Sequence, residues 1–181
     1  MRIIAGKYRS RLLKMVPDER TRETQDKVRG AVFNTLQDYV INSSVLDLFA
    51  GSGSYGIEAI SRGAKSVIFN DINSISIRTI KDNLKIIEEN NYQVFQLDYK
   101  KLIAKLNLLN INFDLVFIDP PYKLNIYEEV MNGLVNLINP DGIVICEMDK
   151  KRVLDQAKIS QYKFIKEKIY GSKKVEYYQK I

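Results

Sequence analysis

The chain has 181 residues, 45% of them apolar, and a formal net charge of +6, the size of one compact domain with enough apolar residues to build a core. It contains no histidine, no tryptophan and one cysteine, Cys146. These absences exclude an imidazole-based nucleophile, a Cys/His zinc site and an internal disulfide, and they point to a reducing, cytoplasmic setting with no metal.

The opening MRIIAGKYRSR lacks the apolar core of a signal peptide, and no run approaches the ~18 apolar residues of a membrane span. A soluble protein with no membrane partner is expected. Charge is unevenly spread: residues 1–30 sum to +5, residues 31–150 to −5 and residues 151–181 to +6. Arg2, Lys7, Arg9, Arg11 and Lys14 occur with no acidic residue among the first sixteen, a pattern that can follow a phosphate backbone but equally forms a solvated edge.

Along the chain, Ile3-Ile4 and Leu12-Leu13 flank a turn-prone stretch from Gly6 to Ser10, which predicts a small hairpin or arm. Val28, Val32, Leu36 and Tyr39 recur at helical spacing, with Thr24 as N-cap. Short apolar strands then alternate with helices: strands at Val45–Phe49, Val67–Phe69, Val94–Leu97, Leu115–Ile118 and Ile143–Cys146, and helices at Tyr55–Arg62, Ser74–Glu89, Tyr99–Leu109 and Ile126–Ile138. That rhythm predicts an α/β fold, a doubly wound and mostly parallel seven-stranded sheet with helices on both faces. Tyr162–Ile169 and Lys174–Lys180 around Gly171-Ser172 predict a closing antiparallel hairpin. Residues 1–23 are read as a basic extension and residues 24–181 as the catalytic domain.

Ligands of such sheets bind beyond the strand tips where the strand order reverses. After the first strand comes Asp47-Leu-Phe-Ala-Gly-Ser-Gly-Ser-Tyr-Gly56, in which Gly51, Gly53 and Gly56 match G-x-G-x-x-G, and Asp71 lies 20 residues after Gly51. Glycines let a ligand approach the backbone, and a carboxylate at the second strand tip can hold both ribose hydroxyls. The pattern fits NAD or S-adenosylmethionine. Asp47 favours the latter, because a carboxylate crowds a pyrophosphate but suits an ammonium; its other reading is a cap. Asp98, beside Tyr99, suits an adenine amino group or a helix cap.

After the fourth strand comes Asp119-Pro-Pro-Tyr122. Two prolines fix φ and remove two N–H donors, so the loop presents rigid acceptors. Asp119 and the Pro120 carbonyl can take the hydrogens of an exocyclic amine while Tyr122 stacks on the base. Pro121 completes this candidate catalytic set.

The order D-L-F-A-G-S-G, an acid at the second strand tip and D-P-P-Y resembles Rossmann-like methyltransferases that use S-adenosylmethionine to modify exocyclic amines. Over nearly its whole length the chain resembles the bacterial 16S ribosomal RNA (guanine-N2)-methyltransferases. The match also rests on Arg2-Ile-Ile-Ala-Gly-Lys7, Thr24 to Asn34, Gly56 to Ala64 and Tyr170 to Tyr178. The resemblance implies that Asp47, Phe49, Ala50, Gly51, Ser52, Gly53 and Gly56 cradle the methionine part of the cofactor. It further implies that Asp71 and Ile72 hold the ribose, that Asp98 and Tyr99 meet the adenine, and that Asp119 through Tyr122 hold the guanine. The implied substrate is 16S rRNA or a small-subunit assembly intermediate, gripped by Arg2, Lys7, Arg9, Arg11, Arg22 and Arg29 of a monomer. Three departures stand out: Glu23 where the family usually has proline, Gly30 for a usual glutamate, and Asn73 for a common second acid. A DNA adenine-N6 methyltransferase and an NAD-dependent oxidoreductase are the competing readings.

Overall fold

A computed structural model describes residues 1–17, 22–121 and 124–181, the side chains of residues 22–25 excepted. The elements are α1 (Arg22–Leu36), β1 (Ser44–Asp47), α2 (Ser54–Ser61), β2 (Ser66–Asn70), α3 (Ser74–Leu84), β3 (Tyr92–Phe95), α4 (Tyr99–Leu108), β4 (Phe113–Ile118), α5 (Tyr127–Leu134), β5 (Ile138–Asp149), β6 (Tyr162–Tyr170) and β7 (Lys173–Lys180). They build one seven-stranded sheet in the order β3-β2-β1-β4-β5-β7-β6. The first five strands are parallel, and β7 runs antiparallel to both β5 and β6. The α/β sheet and the closing hairpin are thus as expected.

Successive residues of a strand face opposite sides, so the apolar runs of β1 and β4 feed two cores. Val45, Leu115 and Phe117 pack with Val32 and Phe33 of α1 and Ile57 of α2, whereas Leu46, Val116 and Ile118 pack with Leu102 and Leu106 of α4 and Val130 and Leu134 of α5. The strand order reverses between β1 and β4, so the loops after these two strands, one Gly-rich and one Asp-Pro-Pro, open onto the same crevice.

Residues 1–14 form the expected small hairpin: Arg2 bridges Leu12, and Ile3 N–H donates to Arg11 O at 3.0 Å. Ile3, Tyr8 and Leu13 bury themselves in the core beneath α1–α3. Several boundaries differ from expectation: β3 lies at Tyr92–Phe95 instead of Val94–Leu97, α5 stops at Leu134 instead of Ile138, and β5 runs on to Asp149 instead of Cys146. Helix α1 begins at Arg22, which places Thr24 inside its first turn; Arg and Glu are straight-chain helix formers and do not stop a helix. Helix α3 ends at Leu84 instead of Glu89, because the arm takes over the following backbone: Arg11 donates to Ile86 O, and Glu88 N–H donates to the Tyr8 hydroxyl at 3.0 Å. Strand β5 begins at Ile138, which pairs with Phe113 before the register shifts. The arm also packs closely on α1 at Gly30, where a Cβ would lie 3.3 Å from Cδ1 of Ile4.

Candidate active site

The loop after β1 is held over the sheet by Leu48 N–H on Phe117 O (3.3 Å) and Ala50 N–H on Asn70 O (2.8 Å). Gly51 and Gly53 take φ values of +53° and +79°, a left-handed backbone that side chains disfavour. At Gly56 a Cβ would overlap the Phe69 ring, so glycine lets α2 sit directly on β2. Two carboxylates bind this loop from the strand tips. Asp47 Oδ2 accepts from Gly56 N–H and Asp71 Oδ2 from Gly51 N–H, each at 2.9 Å, and Asp71 Oδ1 accepts from Asn73 N–H at 2.8 Å.

This donor set discriminates between cofactors. A dinucleotide fold points its free loop and helix N–H groups at a pyrophosphate, but here the Gly51 and Gly56 donors are taken by carboxylates. The crevice is acidic and fits the sulfonium and ammonium of S-adenosylmethionine.

Asp47 is 3% exposed. Burial pushes its pKa from 3.8 up to about 7, against the Gly56 N–H and aided by the Asp71 charge. A folded pKa above the unfolded value means a stability contribution that is whole below pH 4 and is lost as pH rises through 7. Asp47→Asn, which can still accept from Gly56, is expected to lose less unfolding free energy than the parent between pH 5 and pH 8. Urea titrations at the two pH values measure this; equal losses would remove the assignment.

Around this cradle, Phe49 and Tyr99 place their rings 5.8 Å apart at 50°, Ala50 and Ser52 are buried and Ile72 is exposed. Asp98 Oδ1 accepts from Lys100 N–H at 2.9 Å and caps α4, which realises the capping alternative. Asn73 caps α3 by accepting from Ile75 N–H at 2.9 Å, a task an amide performs as well as the acid more usual there.

On the neighbouring strand, Ile118 pairs with Cys146, so Asp119, Pro120 and Pro121 leave the sheet beside Glu147. Tyr122 lies outside the described residues. Under this loop, Tyr55 of α2 stacks on Phe117 (4.8 Å between centroids, 27°) and on Phe33 (6.2 Å, 29°). Its hydroxyl donates to Glu147 Oε2 at 2.8 Å, Lys173 donates to Glu147 Oε1, and the Tyr127 hydroxyl donates to Glu147 O at 2.8 Å. Burial, then the Glu147 and Asp119 charges, drive the Tyr55 pKa well up, so the phenol keeps its proton. Sequence reasoning missed this group. The signal was there in Ile-Cys-Glu-Met148, where a carboxylate interrupts an apolar strand and therefore needs partners.

The expected RNA residues are scattered in role. Lys7 pairs with Glu88 and Glu89 (3.4 and 2.8 Å), Arg11 with Glu88 (3.7 Å) and Lys14 with Asp82 (2.8 Å). Arg2 and Arg9 are exposed. Arg22 opens α1, and its side chain is outside the described residues, as is that of Glu23. Arg29 requires correction: at 1% exposure its Nη2 donates to Arg2 O (2.5 Å) and Asp26 Oδ1 (2.9 Å), and its Nε lies 3.7 Å from Glu58 Oε2. It braces the arm against α1 and α2, because a guanidinium on the inner face of α1 must find its charge partners inside. Among the described residues no cluster of three or more His, Cys, Asp or Glu could hold a metal, and no helix is long and apolar enough to cross a membrane.

Comparison with known proteins adds kinship to this geometry. The chain is 35% identical to "Putative rRNA methyltransferase YlbH" of Bacillus subtilis over 187 aligned residues, covering 99% of each chain. It is 34% identical to "Ribosomal RNA small subunit methyltransferase D" of Haemophilus influenzae, covering 99% of this chain and 93% of the other. Among solved structures, "Putative methyltransferase yhhF" of Escherichia coli superposes with a TM-score of 0.85 at 27% identity, covering 99% and 97% of the two chains. The family model described as "Conserved hypothetical protein 95" matches residues 1–179. With its methyltransferase fold and relatives aligned end to end, the chain belongs to the Conserved hypothetical protein 95 family of S-adenosylmethionine-dependent methyltransferases.

Proposed function

We propose that this enzyme transfers a methyl group to the exocyclic N2 of a guanine in small-subunit ribosomal RNA, in the cytoplasm, acting on 16S rRNA or an assembling particle. The observation that carries the reading is the pairing of an acidic, glycine-lined cradle on β1 and β2 with an Asp-Pro-Pro loop on β4 across one crevice. The names of the Bacillus and Haemophilus relatives, both rRNA methyltransferases, support rRNA as the substrate.

S-Adenosylmethionine, once bound, supplies a methyl group on a sulfonium. Asp47 and Asp71 would hold the cationic and ribose parts of the cofactor, and Asp98 and Tyr99 would meet its adenine. Asp119 and the Pro120 carbonyl accept the two amine hydrogens of the guanine and aim its nitrogen lone pair. Methyl transfer would leave the guanine nitrogen cationic and acidic, and Asp119 or water would take its proton. Acceleration comes from positioning and fixed acceptors, so no histidine or metal is needed.

Residues 1–23 serve in this reading as an RNA-gripping extension to the catalytic residues 24–181. Arg2 and Arg9 are exposed, and replacing both by glutamate is expected to weaken RNA binding at physiological salt while cofactor affinity holds; an unchanged dissociation constant would remove the arm from the RNA surface. The reading as a whole is tested by labelled methyl transfer to 16S rRNA, small-subunit particles and DNA, followed by nucleoside analysis. N2-methylguanosine is expected, and N6-methyladenosine would overturn the assignment.

A further inference from the structure

Beside the reaction loop lies a second concavity of about 240 Å³, lined by Leu124, Asn125, Tyr127, Met148, Asp149 and Arg152. Its place follows from the sheet. Ile118 pairs with Cys146, so the chain that leaves β4 through Asp119 passes next to the end of β5, and the cavity fills the angle between Leu124–Tyr127 and Met148–Arg152. Met148 and Tyr127 are buried beneath it, and Leu124 stands 45% exposed at the rim. A cavity below the ~300–1,000 Å³ of drug-sized sites has room for about one planar base.

The far rim is stiff. Arg152 Nη2 donates to both carboxylate oxygens of Glu128 at 2.8 Å, and the same carboxylate accepts Asp155 N–H at 3.1 Å. Lys150 N–H donates to Ser172 O at 2.9 Å, which ties the rim to the β6–β7 turn. Lys150 and Lys151 are exposed and form no ion pair among the described residues. Val153, 78% exposed, extends the apolar edge. The arm is different, since Lys7, Arg11 and Lys14 already have acidic neighbours.

We propose that this concavity is a nucleotide subsite for the residue of the RNA that flanks the target guanine. Its base lies against Leu124, above the buried Tyr127 and Met148 and within reach of the Asn125, Asp149 and Arg152 polar groups, and its phosphate lies on Lys150 and Lys151. A base taken out of its stack leaves a neighbour unstacked as well, and unstacked RNA bases are bound on apolar or aromatic surfaces with their edges read by polar side chains. The inference rests on the RNA methyltransferase reading above, and deepens it by naming where substrate next to the reacting base is held.

The test is steady-state methylation of 16S rRNA by the full chain and two variants, with S-adenosylhomocysteine affinity measured in parallel. Lys150→Glu with Lys151→Glu is expected to raise KM for RNA at least ten-fold. It should also flatten the slope of log affinity against log salt by about 1 to 1.5, the value for two single-strand phosphate contacts. Leu124→Asp, a change at an exposed position, is expected to raise the same KM at least five-fold with an unshifted melting temperature. S-Adenosylhomocysteine affinity should stay within two-fold in both. If the parent enzyme methylates rRNA and either variant keeps KM within two-fold of it, the subsite is overturned. A parent that transfers no methyl group to rRNA overturns the functional reading beneath it instead.

Discussion

Asp119→Ala is expected to lower single-turnover methyl transfer by about 10²- to 10³-fold while leaving S-adenosylhomocysteine affinity within about two-fold. The amine nitrogen of guanine is planar and its lone pair is delocalised into the ring. Accepting its hydrogens favours rehybridisation and offsets the positive charge that grows on the nitrogen, and losing one such fixed group typically costs about that factor in rate. The cofactor cradle is built by other carboxylates, Asp47 and Asp71, on β1 and after β2, which is why binding and rate should separate. Asp119→Asn keeps the shape and one acceptor but loses the charge, and an intermediate rate is expected. Near-parental transfer by Asp119→Ala in a rapid-quench assay would refute the role.

Glu58→Ala is expected to cost about 3–5 kcal/mol of unfolding free energy, the usual loss when one partner of a buried ion pair is removed. Glu58 Oε2 accepts Ile4 N–H at 2.8 Å, and Oε1 accepts Ala5 N–H at 3.1 Å and Arg62 Nε at 2.8 Å. It also lies 3.7 Å from the buried Arg29 guanidinium. Alanine at this position removes the acceptor of two half-buried backbone donors and of Arg62, and leaves the buried Arg29 with Asp26 as its one carboxylate. The cheaper outcome is detachment of the arm, which rehydrates Ile4 and Ala5 but exposes Ile3 and Tyr8. Urea unfolding should therefore show the loss, and amide exchange at Ile4 and Ala5 should become fast while the centre of the sheet stays protected. Slow exchange at these two amides would show that Glu58 is not what fastens the arm.

Some of the candidate site was legible because strand geometry makes it so. A residue that ends an apolar run in a parallel sheet must emerge at the carboxyl edge, so Asp47, Asp71 and Asp119 could be placed around one crevice by counting. Gly51 and Gly53 were legible for a related reason, since few residues other than glycine adopt φ values of +53° and +79°. The electropositive surface was much less so. Lys7 and Arg11 look free in a one-dimensional reading, yet their partners Glu88 and Glu89 come from a loop more than seventy positions away. Arg29 read as a surface cation because its burial depends on the arm folding back over α1 and α2.

Local pattern, then, was enough to establish alternating strands and helices, the closing hairpin, and the absence of any imidazole. These follow from periodicity and from which side chains exist at all. The pairing of Tyr55, Glu147 and Lys173, the locking of the arm by Glu58, and the base-sized cavity between Leu124 and Arg152 emerged only in three dimensions. Each joins groups from different elements, and a charge or a hydroxyl carries no mark in the linear chain of the partner that burial will force on it.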